Sequence, residues 1–269
     1  MIANIGQRIK NRLFRKSIPN ACRNVTVLPD DIFLVSYPKS GNTWLRFIIA
    51  NLLYSNRIAV SFSNIGILIP DIYKYRDQDL LQLPTPRILK SHECFDTKYP
   101  KVIYIVRDPR DVAVSYYHYL IKIQEIAEDY PINSWIKSFV KGTFIPQFGT
   151  WSQNVESWLF TNKNTQNLLL IRYEDLLNNS FKEVSKIAAF LSLNVSEEQI
   201  AKAIALSSAD NMRRSEKQSG WQPNQNSRKD KAFVRAAKSG NWKTDLSEYA
   251  VKEIERNWGS LMQKLNYLQ

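Results

Sequence analysis

Four short segments of this sequence are almost continuously apolar and are separated by segments with a helical pattern. The apolar segments are DIFLVSYP (31–38), RILKSH (87–92), KVIYIVRD (101–108) and NLLLIRYED (167–175). They do not alternate between apolar and polar residues, so they predict strands that are buried on both faces. Helical patterns are predicted over 43–55, 110–122, 151–163, 181–193, 197–217 and 247–268. This order predicts an α/β fold, a three-layer sandwich in which helices flank a central, mostly parallel sheet.

The bulk properties of the chain are those of a globular protein that attracts anions. The 269 residues suffice for a substantial core, and we interpret 1–269 as a single domain. The excess of 37 basic over 25 acidic residues gives a net charge of +12. Such a charge favours nucleic acid, anionic lipid or a highly charged nucleotide as partner, without distinguishing among them.

Cysteine usage and hydropathy bear on the compartment. Cys22 and Cys94 are the two cysteines, which predicts neither a disulfide framework nor a cysteine-based zinc site. No window approaches the roughly 18 apolar residues of a membrane span. The N-terminus also lacks the continuous apolar core of a signal peptide. The sequence therefore predicts a cytoplasmic protein.

Two basic segments flank the predicted core. Residues 1–29 form an N-terminal extension in which Ile2, Ile5, Ile9 and Leu13 follow helical spacing beside basic residues. This amphipathic helix can pack on the domain or make a peripheral contact with an anionic membrane. Residues 213–243 contain nine basic and two acidic residues. They predict a long surface loop, whose length and charge suit a lid over an anionic ligand.

The turn YPKSGNTWLRF follows the first predicted strand and leads into a helix. The first N–H groups of such a helix are unpaired and its dipole is positive, so an anion binds well there. Gly41 permits close approach of the backbone, and Thr43 offers a hydroxyl. Lys39 precedes the glycine, unlike the lysine of the G-x-x-x-x-G-K-[ST] loop that wraps several phosphates. We expect a single bridging 5′-phosphate here; the alternative is an ordinary turn with a surface lysine.

Two further candidate residues lie at carboxyl ends of predicted strands, where α/β proteins bind ligands. Arg107 precedes a helix that we expect to begin at the N-cap Asp108, with Asp111 completing a capping box. Its guanidinium suits a phosphate, although pairing with Asp108 or Asp111 is an alternative. His92 lies just after Lys90 and its strand, and is either a general base or a structural histidine.

Five motifs occur together and in a fixed order: YPKSGNTW, KSH, VRDPRDVAVSYY, RYEDLL and FVRAAKSGNWK. In this combination, over roughly residues 30–245, the chain resembles the cytosolic-type sulfotransferases, which use 3′-phosphoadenosine 5′-phosphosulfate (PAPS). The resemblance implies a P-loop-like fold and transfer of a sulfuryl group to an acceptor hydroxyl or amine. It implies PAPS as the co-substrate and no metal, since lysines supply the positive charge.

The resemblance also assigns residues to the donor site. It implies a 5′-phosphosulfate loop that consists of Lys39, Ser40, Gly41, Asn42, Thr43 and Trp44, with Asn42 in place of a common threonine. Arg107 and Ser115 match the pair that holds the 3′-phosphate, and Tyr173 matches a contact near the adenine. Ser207 stands for a nucleotide-contacting threonine, while Ala209 replaces an aromatic residue that stacks on the adenine. Arg235 retains a 3′-phosphate contact, with Ala236 and Ala237 in place of Lys and Gly.

The resemblance further implies the catalytic roles. His92 matches the general base, Lys39 stabilises the leaving bridging oxygen, and Lys90 assists at the sulfuryl group during in-line transfer. Lys252 reverses the charge at the last position of the family dimer motif, so that dimer is not expected. The acceptor, a small molecule, lipid or glycan rather than nucleic acid, is expected between the loops 56–86 and 123–150.

Two other interpretations use the same features. A P-loop kinase or NTPase would bind ATP with Mg²⁺, held by the acidic end of LLLIRYED. A non-catalytic module would bind nucleic acid or lipid through the positive field alone. Neither accounts for a histidine at the end of a buried strand.

Overall fold

The computed structural model describes residues 25–160 and 165–268. The predicted N-terminal amphipathic helix and Cys22 lie outside these residues. The four strands are β1 (Ile32–Val35), β2 (Ile88–Ser91), β3 (Lys101–Val106) and β4 (Leu168–Arg172). They form one sheet in the order β2-β1-β3-β4, and every neighbouring pair is parallel. The predicted α/β fold with a parallel sheet is confirmed.

Twelve α-helices connect or follow these strands in the described part of the chain. They are α1 (Asn42–Tyr54), α2 (Ile65–Leu68), α3 (Asp77–Leu80), α4 (Pro109–Lys122), α5 (Ile132–Val140), α6 (Trp151–Phe160), α7 (Tyr173–Asn178), α8 (Ser180–Phe190), α9 (Glu197–Leu206), α10 (Ala209–Ser219), α11 (Trp242–Asp245) and α12 (Glu248–Lys264). Short 3₁₀ turns span Pro146–Phe148 and Thr165–Asn167. Within the described ranges, no helix is both long enough and apolar enough to cross a lipid bilayer.

Two hydrophobic cores lie on opposite faces of the sheet, because successive side chains of a strand point to opposite sides. Phe33 and Tyr104 face a core built with α4, α5, α6 and α12. Leu34 and Ile105 face the other core, built with α1, α7, α8, α9 and α10. The molecule is therefore a three-layer sandwich.

The predicted burial of all four strands on both faces is correct only for the inner two. Every residue of β1 is buried, and in β3 only the first residue is not. The outer strand β4 has one buried residue of five, and Leu170 is 36% exposed. An edge strand has a neighbour on one side only, so the flanking helices cover it less completely.

The predicted helix over 197–217 is instead two helices, and the predicted loop over 213–243 begins later. The break falls at Ser207 and Ser208, where the Ser208 hydroxyl accepts the N–H of Asn211 and caps α10. A serine that satisfies a free N–H favours a new helix start over continuation of the old one. Residues 213–219 consequently belong to α10, and the segment without helix or strand runs from 220 to 241.

Candidate active site

A cavity of about 1300 Å³ opens at the carboxyl edge of the sheet. Its walls include Lys39 from the turn after β1, His92 after β2, Arg107 after β3 and Ser115 from α4. Segments after parallel strands meet at this edge, which is why residues far apart in sequence share one cavity. Most of the predicted site residues are thus brought together.

The turn between β1 and α1 has the backbone of an anion site. Lys39 and Gly41 both have positive φ, 70° and 104°, and Gly41 is the N-cap of α1 without any side-chain cap. The first N–H groups of α1 consequently lack a side-chain acceptor at the wall of the cavity. A Cβ on Gly41 would lie 2.6 Å from Cδ2 of Tyr173, so only glycine fits.

Three side chains of this turn differ in their access to the cavity. Thr43 lines the cavity, whereas Ser40 is fully buried and its hydroxyl has no hydrogen-bond partner among the described residues. Asn42 lines the cavity, but its amide nitrogen donates to the Leu34 carbonyl at 3.1 Å and to Ser36 Oγ at 3.3 Å. The amide is therefore occupied in fastening α1 to the end of β1.

The Lys39 ammonium lies against two aromatic rings. Its Nζ is 3.9 Å from the ring centroid of Tyr119 and 4.3 Å from that of Phe233. The rings attract the cation electrostatically. Burial, followed by the positive charges of Arg107 and Lys90, lowers the pKa of Lys39 to about 7. A bound anion would counteract both effects and favour the charged lysine.

His92 is held so that one ring nitrogen is free to accept a proton. Its Nδ1 lies 2.7 Å from the carbonyl oxygen of Ser36. A carbonyl only accepts, so Nδ1 carries the hydrogen and Nε2 is the basic nitrogen. Burial, with a smaller effect of Lys90, lowers the pKa of His92 to about 3. The ring is therefore neutral near pH 7, the form that a general base requires.

The backbone of His92 is fixed from two further elements. Asn154 of α6 donates from Nδ2 to the His92 carbonyl at 2.9 Å, and the His92 N–H donates to the Tyr73 hydroxyl at 2.9 Å. The ring of Phe148 lies 5.5 Å from the imidazole. This support makes the orientation of the imidazole a property of the folded core.

Lys90 forms a buried ion pair that the sequence did not predict. Its Nζ lies 2.7 Å from Oδ2 of Asp71, and both residues line the cavity. Burial lowers the pKa of Lys90 to about 8, against the opposing charge of Asp71. Burial raises the pKa of Asp71, but the charges of Lys90 and Lys74 outweigh it and hold that pKa below its ordinary value. A lone Asp within the apolar run GILIPDIY was the available signal, because buried carboxylates require partners.

Arg107 occupies the other end of the cavity. Its guanidinium lies 4.2 Å from the ring centroid of Tyr173, and Nη2 donates to the Lys238 carbonyl at 2.8 Å. Nη2 also lies 3.8 Å from Asp111 Oδ2, so the alternative pairing with Asp111 is present as a long ion pair. Arg107 and Ser115 both line the cavity, and the guanidinium over the Tyr173 ring gives this end a positive charge suited to a phosphate.

The predicted capping box at the start of α4 is wrong in its second half. Asp108 does cap the helix, since its Oδ1 accepts the N–H of Arg110 at 2.9 Å. Asp111 instead accepts the N–H groups of Gly240 and Trp242 at 2.7 and 3.1 Å. Backbone donors at the end of the 220–241 loop and the start of α11 thus compete successfully for this buried carboxylate, which fastens the end of the loop beside the cavity.

Three further predicted residues lie around the Arg107 end. Trp44 and Tyr173 meet edge to face at 5.5 Å, and both line the cavity. Ser207 is fully buried, with its hydroxyl accepting from Asn51 Nδ2 at 3.0 Å, so the side chain is directed away from the cavity. Its carbonyl accepts the Trp44 indole N–H at 3.0 Å, and Ser208 lines the cavity in its place.

Arg235 and the alanines beside it line the same end of the cavity. The Arg235 guanidinium is 3.6 Å from the Asp245 carboxylate, and Ala236 and Ala237 contribute to the wall. The neighbouring Lys238 contacts the site through its carbonyl group, to which Arg107 donates.

The opposite end of the cavity is aromatic. Of the aromatic residues in the predicted acceptor loops, Tyr73 and Phe148 line it, whereas Phe62 is buried in a core. Tyr116 and Trp221 also line the cavity. Among the residues that the structure describes, no group of three or more His, Cys, Asp or Glu could hold a metal ion.

Comparisons with known proteins agree with this geometry. A family profile described as the sulfotransferase domain matches residues 29–266. Cytosolic sulfotransferase 12 of Arabidopsis thaliana is 32% identical over 248 residues, which are 84% of this chain and 75% of that protein. Bovine sulfotransferase 1E1 is 34% identical over 69% of this chain and 66% of its own length. These matches favour the sulfotransferase interpretation over the kinase one.

The fold is also that of solved sulfotransferases. A mouse sulfotransferase crystallised with PAP (3′-phosphoadenosine 5′-phosphate) superimposes with a TM-score of 0.71 at 24% identity. The match covers 93% of this chain and 91% of the other. An Arabidopsis structure described as a putative steroid sulphotransferase gives a TM-score of 0.61 at 25% identity, with 95% and 82% covered. The chain therefore belongs to the sulfotransferase family, the enzymes that take a sulfuryl group from PAPS.

Proposed function

We propose that this sulfotransferase passes the sulfuryl group of PAPS to an acceptor hydroxyl or amine by in-line displacement, with His92 as the general base. The observation that carries the proposal is the bond between Nδ1 of His92 and the Ser36 carbonyl, at 2.7 Å. It leaves Nε2 as proton acceptor on a residue that lines the cavity. The acceptor loses its proton to Nε2 as its oxygen or nitrogen attacks the sulfur.

The charges along the cavity support an orientation for the donor. The 5′-phosphosulfate would lie on the N–H groups of the turn from Lys39 to Thr43, where the first turn of α1 lacks a side-chain cap. The 3′-phosphate would lie against Arg107, Ser115 and Arg235, and the adenine against the Trp44 and Tyr173 pair. Ser207 would act through its carbonyl, which holds the Trp44 indole.

The lysines supply the electrostatic part of the mechanism. Negative charge develops on the bridging oxygen as 3′-phosphoadenosine 5′-phosphate (PAP) departs, and Lys39 would stabilise it. The charged donor raises the pKa of Lys39 from about 7, so the lysine is protonated in the complex. Lys90 would contact the sulfuryl oxygens from the acceptor side.

The aromatic wall supports a small-molecule acceptor with an apolar surface. Tyr73 and Phe148 lie beside His92 and offer apolar rings to such a molecule, and Tyr116 and Trp221 also line the cavity. The relative named as cytosolic supports action in the cytosol. Contact of residues 1–29 with a membrane and absence of the family dimer stay predictions.

The test compares two histidine variants. His92→Ala should bind PAP with unchanged affinity in calorimetry, but transfer labelled sulfate at least about 100-fold more slowly to any acceptor found in a panel of phenols, alcohols, amines, sterols and glycans. His118→Ala is the matched control, since His118 packs against Tyr117 and does not line the cavity. Normal transfer by His92→Ala would remove the histidine from the mechanism.

A further inference from the structure

We propose that Asp71 is a positioning residue of the transfer site, which holds the Lys90 ammonium at the acceptor side of the cavity and keeps it protonated. The proposal rests on the role of Lys90 given above. Asp71 is a carboxylate among cationic lining residues, which are Lys39, Arg46, Lys74 and Lys90.

The contacts around Asp71 fix both partners. Oδ2 accepts from Lys90 Nζ at 2.7 Å, and Oδ1 accepts the backbone N–H of Tyr73 at 3.1 Å. The backbones are joined as well, in a parallel bridge between Asp71 and Lys90. Lys90 N donates to the Pro70 carbonyl at 2.8 Å, and Ile72 N donates to the Lys90 carbonyl at 3.1 Å. The carboxylate therefore has one orientation relative to β2.

The charge environment explains why Lys90 needs this carboxylate. The two side chains are only 12% and 10% exposed, so water does little to stabilise an ammonium there. Arg46 from α1, Lys74 from the segment after Asp71 and Lys39 from the turn after β1 all act on Lys90 as positive charges. His92 on its own strand end is neutral. Asp71 is the negative group that favours the charged lysine.

The consequence for the reaction follows from charge. A protonated Lys90 stabilises the negative oxygens of the transferring group, whereas a neutral amine does not. Replacement of Asp71 by Asn keeps the shape and an acceptor for the Tyr73 N–H but removes the negative charge. We expect Lys90 in this variant to lose its proton at a lower pH than in the wild type, because burial and the neighbouring cations both favour the neutral form.

The first test measures the protonation of Lys90 directly and needs no acceptor substrate. The lysines are reductively methylated with ¹³C-formaldehyde and a borane reductant. The Lys90 signal is assigned with Lys90→Arg, and its chemical shift is followed against pH by NMR. We expect a midpoint of about 8 in the wild type. In Asp71→Asn the midpoint should fall below about 7. Asp79→Asn, which removes a carboxylate from the surface pair with Arg76 at 2.8 Å, is the control and should leave the midpoint unchanged.

The second test measures the rate of sulfuryl transfer as a function of pH. The ratio of the Asp71→Asn rate to the wild-type rate should fall by about tenfold between pH 6 and 8.5 and recover on acidification. His92 stays neutral over this range, because its pKa is about 3. Any effect of Lys39 is common to both proteins and cancels in the ratio of their rates. A loss of rate that is independent of pH, or an unchanged Lys90 midpoint, overturns the proposal. If the wild type itself transfers no sulfate, the proposed function fails, while the NMR result still decides the role of Asp71.

Discussion

Replacement of Gly41 by Ala tests whether the donor turn depends on a side-chain-free position. Gly41 has a φ of 104°, and an added Cβ would lie 2.6 Å from Cδ2 of Tyr173, 3.1 Å from Cε2 and 3.3 Å from Ile105 Cδ1. The Tyr173 ring has little room to move, since it lies between the Arg107 guanidinium at 4.2 Å and the Trp44 ring at 5.5 Å. Both the backbone and the packing therefore oppose the methyl group.

The two effects can be given magnitudes. A left-handed conformation costs an L-residue about 1–2 kcal/mol. Overpacking of a well-filled site costs about 1–3 kcal/mol more. The free energy of unfolding should fall by about 2–5 kcal/mol, and the melting temperature by about 4–20 °C, at about 2–4 °C per kcal/mol for a domain of this size. PAP affinity should fall as well, because the N–H groups of the turn are displaced.

Urea denaturation of four variants separates these effects. Gly220→Ala is the matched control, because Gly220 has a φ of 58° and, beyond its two chain neighbours, no described residue comes within 4 Å of an added Cβ. It should show the backbone cost alone. In a Tyr173→Ala background, Gly41→Ala should also cost only about 1–2 kcal/mol, which gives a coupling of about 1–3 kcal/mol. The reasoning is refuted if Gly41→Ala lowers the free energy of unfolding equally in the wild-type and Tyr173→Ala backgrounds. It is also refuted if Gly41→Ala lowers it no more than Gly220→Ala does.

Two further predictions concern the charged groups around the cavity. PAP affinity should weaken as the pH rises through about 7, because Lys39 of the unliganded protein loses its proton there. Calorimetry should show that the affinity of Lys39→Met depends less on pH. An unchanged pH dependence in this variant would contradict the prediction. Glu216 accepts the N–H groups of Phe233 and Val234 at 2.6 and 3.0 Å. Glu216→Ala should speed hydrogen exchange of these two amides by about tenfold or more, whereas replacement of the exposed Glu198 by Ala should not. Equal exchange in both variants would show that other contacts protect these amides.

The elements of the fold were largely predictable from local sequence. Strands β1 to β4 lie within the four apolar runs, and α4 begins at the predicted cap Asp108. The errors arose where a local pattern permits two outcomes. The helical period continues through Ser207 and Ser208, yet capping of α10 by Ser208 breaks it. Similarly, the spacing of Asp108 and Asp111 permits a capping box, but the 220–241 loop supplies better donors.

The placement of the candidate site residues at one edge of the sheet was more predictable than their contacts. Lys39, His92 and Arg107 follow strands β1, β2 and β3, and parallel pairing brings such positions to one edge. The partners of His92, Lys90 and Arg107 were not predictable, because the Ser36 carbonyl, Asp71 and the Lys238 carbonyl are chosen by packing. No periodicity encodes a contact between residues 131 positions apart, such as Arg107 and Lys238.

The sequence by itself therefore determined that a parallel sheet forms, that a glycine turn starts a helix at its edge, and that a histidine and two lysines accompany that turn. These features follow from side-chain burial and from free N–H groups at helix starts, which act over a few residues. Only the tertiary structure decided which nitrogen of His92 is basic, which carboxylate faces Lys90 and which loop Asp111 holds. Those outcomes depend on desolvated groups that find partners across the fold, since a buried charge or donor without one is too costly to persist.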